Sequence, residues 1–600
     1  MNTVVRCLES PARRVRRGGA LLVALAGGAT LCLGQSTIGL DFVGGQSGAT
    51  TTTMSSTESA GVVSQTNWNN LTGATGTATT IKNSSGTTVS GVTVTYSSTN
   101  TWADAGVANT AGNLRMMRGY LDLNTNSAST TVSVSGLSSL GYYDVYVYAA
   151  GDGNNRVGEY TIGTQTYWTN DNSTFSGTFN RSTGETDPGG YQNATAGNYM
   201  VYSDLTGNAI SLTATGAYAA DGTLRAPVNG IQIVQLPTSY WDINGSTSGA
   251  GGTAPGGTWN SSTKNWSSSS AGTAATTAWT SGNLAVFSAG TDAIGSYTVT
   301  VSGTQTASSL IVEEGRPTFT AGAITLNGTT PQVNVAAGST TTINSQIASS
   351  AGLYKTGTGN LVVGGTANAW SGPTVVRAGT LTLGAGNVLP TSTDLTVETG
   401  ATFNLNSYTQ TIDSLSGAGV LQLAGGTLIV GSANGSSTFA GSFASGDTGT
   451  LQKIGTGALT FGAGMNLAGG NLVLNGGTLA LGGFTSTFST LTVTGNSTLD
   501  FSGTSVLNVN SLTVNSGVTL TVTNWADTVD FFYSLFNPGA ANLGRIVFTG
   551  YSASDTKWDS FEHEITPVPE PASYGAMFML VGLVACAWLR FRSTRTPDTT

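Results

Sequence analysis

The chain holds one histidine, His563, and three cysteines, Cys7, Cys32 and Cys586. Residues suited to nucleophilic, acid–base or metal chemistry are therefore scarce. A Ser-His-Asp triad would have to use His563, which lies five residues before Val568 and reads as a solvated surface residue. No His/Cys cluster has zinc-ligand spacing, and no phosphate or dinucleotide fingerprint follows a strand pattern. Between Leu353 and Thr523 the acids are Asp394, Glu398, Asp413, Asp447 and Asp500, and the bases are Lys355, Arg377 and Lys453. Spread over so long a stretch, they give no evident carboxylate pair for glycoside hydrolysis. GDGNNRVGE, from Gly151, offers Asp152, Asn154 and Glu159 to a cation, but it lacks EF-hand spacing and reads as a turn. The expectation is a chain with no catalytic residue, metal or cofactor.

Binding chemistry is better represented. Carbohydrate modules set aromatic faces against sugar C–H surfaces and use polar side chains for hydroxyls. Trp68, Trp102, Tyr120, Trp168 and Tyr191 are candidates for the faces, and Arg115, Arg118 and Asn155 for the polar partners. The competing reading for each aromatic is core packing, the usual filling of a β-sandwich.

The elements that must hold these residues read as strands. Only 8% of the chain is charged, 84 residues are Gly, and β-branched residues abound, which fits an all-β extracellular protein. VTVTY (from Val92), TVSVSGL (from Thr131) and YYDVYVYAA (from Tyr142) alternate with period two between Gly/Ser/Asn turns, the pattern of half-buried strands. Residues 35–236 thus form a β-sandwich or jelly roll. Its opening IGLDFVG and closing GIQIV resemble the layout of a galactose-binding-like jelly roll. Residues 237–296 read as a Gly/Ser/Thr/Trp-rich linker and N-cap.

Repeats follow over 297–523. LYKTGTGNL starts at Leu353 and LQKIGTGAL at Leu451, 98 residues on; AGTLTLG and GGTLALG, from Ala378 and Gly476, keep the same offset. Lys355, Gly357, Gly359, Leu361, Val376, Gly379, Leu381 and Leu383 resemble the autotransporter-associated β-strand repeat. So do Lys453, Gly455, Gly457, Leu459, Leu474, Gly477, Leu479 and Leu481. The resemblance implies a right-handed parallel β-helix, whose short strands stack in register and bury Leu and Val. The aromatic, acidic stretch 524–567 is expected to cap its open end. A self-translocating autotransporter ends in a membrane barrel of alternating ten-residue segments; this chain ends in one apolar run.

Both termini carry address-like features. Arg13, Arg14, Arg16 and Arg17 precede an apolar run to Leu33, and Cys32 and Gly34 are small, so 1–34 reads as a secretory signal peptide. All three cysteines lie in terminal segments, leaving the body without a disulfide. Residues 572–589 carry no charge and reach the length of a membrane-spanning helix, with Arg590, Arg592 and Arg595 on the cytoplasmic side. The order Pro569-Glu570-Pro571, apolar helix, arginines resembles the PEP-CTERM sorting domain. That likeness covers 568–600 and implies an exosortase, a membrane protease or transpeptidase, as sorting partner, and the inner membrane as at least a transient one. The first 34 residues and the tail from Arg590 hold eight basic and two acidic residues. Removing these from the chain's 21 and 30 leaves 13 against 28, a net −15, which excludes a nucleic-acid binder. Three readings stay open: an exported, non-enzymatic surface or matrix structural protein; a carbohydrate-binding adhesin acting on extracellular polysaccharide; and a polysaccharide-degrading enzyme.

Overall fold

Alternation with period two demands that each strand bury one face, and the strands meet that demand in two ways. The structure, a computed structural model, describes residues 36–45, 50–153, 155–171, 174–185 and 187–567. The signal peptide, the sorting motif, the span 572–589 and the tail arginines lie outside the described residues. Among the described residues no helix is long and apolar enough to cross a membrane. The chain divides into two compact units. One comprises residues up to Ser135, Val147–Met200 and Ile210–Val234; the other comprises Gly136–Tyr146, Val201–Ala209 and Gln235 onward.

The first unit is built on mainly antiparallel sheets, with a parallel pair between Thr37–Phe42 and Asn69–Leu71. The opening strand Thr37–Phe42 pairs with the closing strand Gly230–Gln235, Ile38 opposite Ile233. A six-stranded sheet holds Thr93–Ser97, Ser129–Ser135 and Arg156–Ile162 among its members. Phe42 meets Tyr96 of that sheet edge to face at 5.4 Å, which marks the apolar interior of a sandwich.

The second unit is a parallel β-solenoid. Its longest sheet has 15 strands: an antiparallel edge strand, Trp266–Ser267, and 14 that run in chain order from Thr238–Trp241 through Leu284–Phe287 and Leu310–Val312 to Ile546–Phe548. A second face of nine strands starts at Gly257–Trp259 and ends at Ser442–Phe443. A third face has four strands up to Ala369–Trp370 and then seven from Thr409–Ile412. Inward positions stack like on like. Leu428, Leu451, Leu472, Leu491 and Leu512 occupy successive rungs, all buried. Such ladders remove apolar surface from water at about 25 cal/mol per Å², and each rung pairs the next one's backbone.

The stretch 237–296 contributes rungs. Thr238–Trp241 pairs in parallel with Leu284–Phe287, and Trp241, Trp259, Trp266 and Trp279 pack into the first coils around Phe287. Four indoles fill the end of a core that elsewhere is lined mainly by Leu, Val, Ile and Phe. At the other end, Phe531–Ser534 and Ile546–Phe548 are also rungs. Residues beyond them close the last edge: Thr556 Oγ1 donates to the Ile546 carbonyl and Trp558 Nε1 to that of Ser534. The Ser534 N–H donates to the His563 carbonyl.

The two K-x-G-x-G motifs are corners of the solenoid. Lys355 is fully buried, and its Nζ donates to the carbonyls of Thr356, Gly357 and Ala378 at 2.8, 2.7 and 3.0 Å. Ala378 belongs to the next coil, so the amine ties two turns together. Lys453 repeats the arrangement with Ile454 and Gly455. A glycine stacks on each corner. Gly379 and Gly477 have φ of +66° and +65°, and a Cβ there would stand 2.4 Å from the Gly359 and Gly457 carbonyl oxygens respectively. No other residue fits.

Candidate ligand cavity in the first unit

Strands Asn100–Ala103 and Gly119–Asp122 form an antiparallel ribbon that sets Trp102 opposite Tyr120 and Asn100 opposite Asp122. Alternation puts these four side chains on one face. That face lines a cavity of about 250 Å³, completed by Asp152, Arg156, Tyr160 and Arg225.

The centre of the arrangement is Asp152. Its Oδ2 accepts from the Trp102 indole N–H at 2.8 Å and its Oδ1 from the Tyr120 hydroxyl at 3.0 Å. The carboxylate is thereby fixed in orientation, and each oxygen keeps lone pairs for a ligand. Burial pushes the Tyr120 hydroxyl up, and the Asp152 and Asp122 charges push it further; it stays a donor. Burial also raises the Asp122 carboxyl, against the pull of a Leu123 backbone hydrogen bond and of Arg225 and Asn100. The Arg225 Nε stands 3.8 Å from Asp122 and the Asn100 amide 3.4 Å. Arg156 is aligned by Asp221 at 2.8 Å, and its Nε is buried with no hydrogen-bond partner among the described residues. The cavity offers carboxylate acceptors, guanidinium donors and an indole within one small volume. At about 30 Å³ per water, it has room for roughly eight waters.

Of the five aromatic candidates, the structure brings Trp102 and Tyr120 together and leaves three elsewhere. Trp68 is 5% exposed, donates to the Gln65 carbonyl and packs edge-on against Tyr148; it is core. Trp168 is half-buried on strand Gln165–Asp171, opposite Glu159. Tyr191 is half-buried in a single turn, its carbonyl held by Asn170. Arg115 pairs with Glu58, and Arg118 donates to the Thr50 and Val107 carbonyls, so neither faces the cavity. Sequence reasoning missed Asp122, Arg156 and Arg225. Sequence alone singles out Asp152 only within a turn that could face a cation, and among the described residues no group of three or more His, Cys, Asp or Glu is placed to hold a metal.

The five acids between Leu353 and Thr523 are each engaged locally. Asp413 accepts from the N–H groups of Ala433 and Gly435, and Asp447 from those of Leu423 and Ala424. Asp500 accepts from Ser502, Asp394 from the Ser414 hydroxyl, and Glu398 lies beside Arg377.

Residues 353–383, the first K-x-G-x-G copy, match the passenger-associated-transport-repeat family. The adhesin BmaC autotransporter of Brucella suis biovar 1 (strain 1330) is 33% identical over 204 residues, 34% of this chain and 6% of that protein. The chain therefore matches a small part of that relative's length. No solved structure matches it.

Proposed function

We propose that the protein is exported and acts at the bacterial surface or in the extracellular matrix as a non-enzymatic, adhesin-like protein, whose first unit binds a saccharide in the Trp102–Asp152 cavity. The observation that carries recognition is the Asp152 carboxylate, held at one oxygen by Trp102 and at the other by Tyr120. A carboxylate so fixed accepts two vicinal hydroxyls, neighbouring Arg and Asn groups donate to others, and the indole meets the ring's C–H face. The adhesin relative and the passenger-type repeat support a surface location. The engagement of all five acids between Leu353 and Thr523 in local hydrogen bonds or an ion pair supports the non-enzymatic reading.

The test is glycan-array binding by the whole mature chain. Trp102→Ala and Asp152→Asn each weaken binding at least about tenfold, about 1.4 kcal/mol. The cavity reading is refuted if neither substitution weakens binding to any glycan the chain recognises, or if no glycan binds. For sorting, Pro569-Glu570-Pro571 is the exosortase signal, 572–589 the inner-membrane segment, and Arg590, Arg592 and Arg595 the cytoplasmic anchor. Mass spectrometry of surface protein shows a processed C-terminus that depends on the exosortase; an intact tail with the exosortase present refutes it.

A further inference from the structure

The third face of the solenoid loses one strand. It runs through Gln346–Ser349 and Ala369–Trp370, resumes at Thr409–Ile412, and has no strand in the coil between. That coil passes there as Val388-Leu389-Pro390, and Pro390 has no N–H to give a ladder. Side chains supply the missing pairing instead. Gln410, fully buried at the head of the leucine ladder, exchanges hydrogen bonds with both the N–H and the carbonyl of Leu389. Asn368 donates to the Val388 carbonyl, and the Asn387 side chain accepts from Thr411. Beside this irregular rung lies an open groove of about 640 Å³.

We propose that this groove is a second binding site, for a neutral oligosaccharide, independent of the cavity in the first unit. No charged residue lines it, so anionic glycans would find no guanidinium or ammonium to pair with. Its rim carries the exposed polar side chains of Ser371, Asn387, Thr391 and Ser392, while the apolar floor comes from the exposed Ala367 and Ala369, the half-buried Pro390 and the small exposed part of the core residue Trp370. Hydroxyls and amides both donate and accept, which suits sugar hydroxyls, and the floor suits the ring's C–H face. The volume corresponds to roughly twenty waters at about 30 Å³ each, enough for more than one ring. Strand addition by a peptide is disfavoured, because Gln410, Asn368 and Thr409 already occupy the Asn387 N–H, the Val388 carbonyl and both main-chain groups of Leu389.

Affinity electrophoresis of the whole mature chain tests this, with galactomannan and hydroxyethyl cellulose as neutral probes and polygalacturonate as the acidic one. Ser392→Trp fills the groove from an exposed position, and Ser371→Tyr does so from a second exposed position. The expected result is retardation by a neutral probe, reduced at least tenfold by either variant at unchanged melting temperature, and unaffected by Trp102→Ala with Asp152→Asn. Retardation lost only in the first-unit double variant overturns this site while sparing the cavity reading. Retardation unchanged by both groove variants, preference for polygalacturonate, or no retardation by either neutral probe also overturns it.

Discussion

Replacing Lys355 by Met isolates the energetics of a solenoid corner. Burial lowers the Lys355 amine from 10.5 to about 7, against the three carbonyls that hold it. An unfolded chain keeps the ordinary lysine value, so between pH 7 and pH 10.5 it binds more protons than the fold. Stability therefore rises with pH across that window and falls as pH drops back toward 7. The gap between 10.5 and about 7, at about 1.36 kcal/mol per pH unit, gives a ceiling of about 5 kcal/mol. Between pH 7.5 and 9.5 the expected rise is about 2.7 kcal/mol. Buried tyrosines such as Tyr120 and Tyr297, whose hydroxyls burial pushes up, reverse the trend above about pH 10. The measurable range thus ends near there. Urea unfolding followed by circular dichroism, at half-unit steps of pH, reads the slope. The Lys355→Met chain loses this part of the rise; it also leaves three carbonyls without their donor, each costing about 1–3 kcal/mol, so its deficit is largest at high pH. The reasoning fails if the variant shows the same rise as the wild type, or if the wild type shows none.

Four further outcomes are expected. Lys453→Met flattens the slope in the same direction but less, because the Asp413 charge opposes the burial that lowers the amine; the same titration reads it. Gly379→Val prevents the corner from closing, since the new Cβ would meet the Gly359 carbonyl, and the chain melts several degrees lower in calorimetry. Leu451→Ala opens a void in the leucine ladder and lowers stability by about 2–5 kcal/mol in urea titration. Gln410→Ala strips the N–H and carbonyl of Leu389 of their partners, costs about 1–3 kcal/mol per group, and raises hydrogen exchange at Leu389.

The solenoid was legible because its code is local. Glycine corners, the lysine before them and alternating Leu and Thr all lie within nine residues of one another, and the structure puts them where that spacing implies. The stretch 237–296 was harder to read. Its Gly/Ser/Thr content describes turns between rungs as well as it describes a linker, and only the packing of Trp241, Trp259, Trp266 and Trp279 separates the two. The cavity was legible by half. Trp102 and Tyr120 stood out as aromatics, but so did Trp68, which the sandwich core absorbs. What distinguishes them is Asp152, 50 residues from Trp102 in sequence and brought in by sheet pairing. Arg225 arrives from farther still, and no period or motif announces it.

The two lysine corners stand on different edges of the coil. Lys355 lies on a strand of the 15-stranded sheet, whereas Lys453 lies on Thr450–Ile454 of the seven-stranded third face. The 98-residue sequence interval is therefore not a whole number of turns. The motif specifies a bend and is indifferent to which of three bends it makes. Excising one interval would bring the downstream strands back one face out of phase, with every inward leucine handed to a neighbouring wall. Growth or shortening of such a stack by recombination is in phase only at multiples of the coil, so gene-level repetition and mechanical pitch evolve as separate clocks.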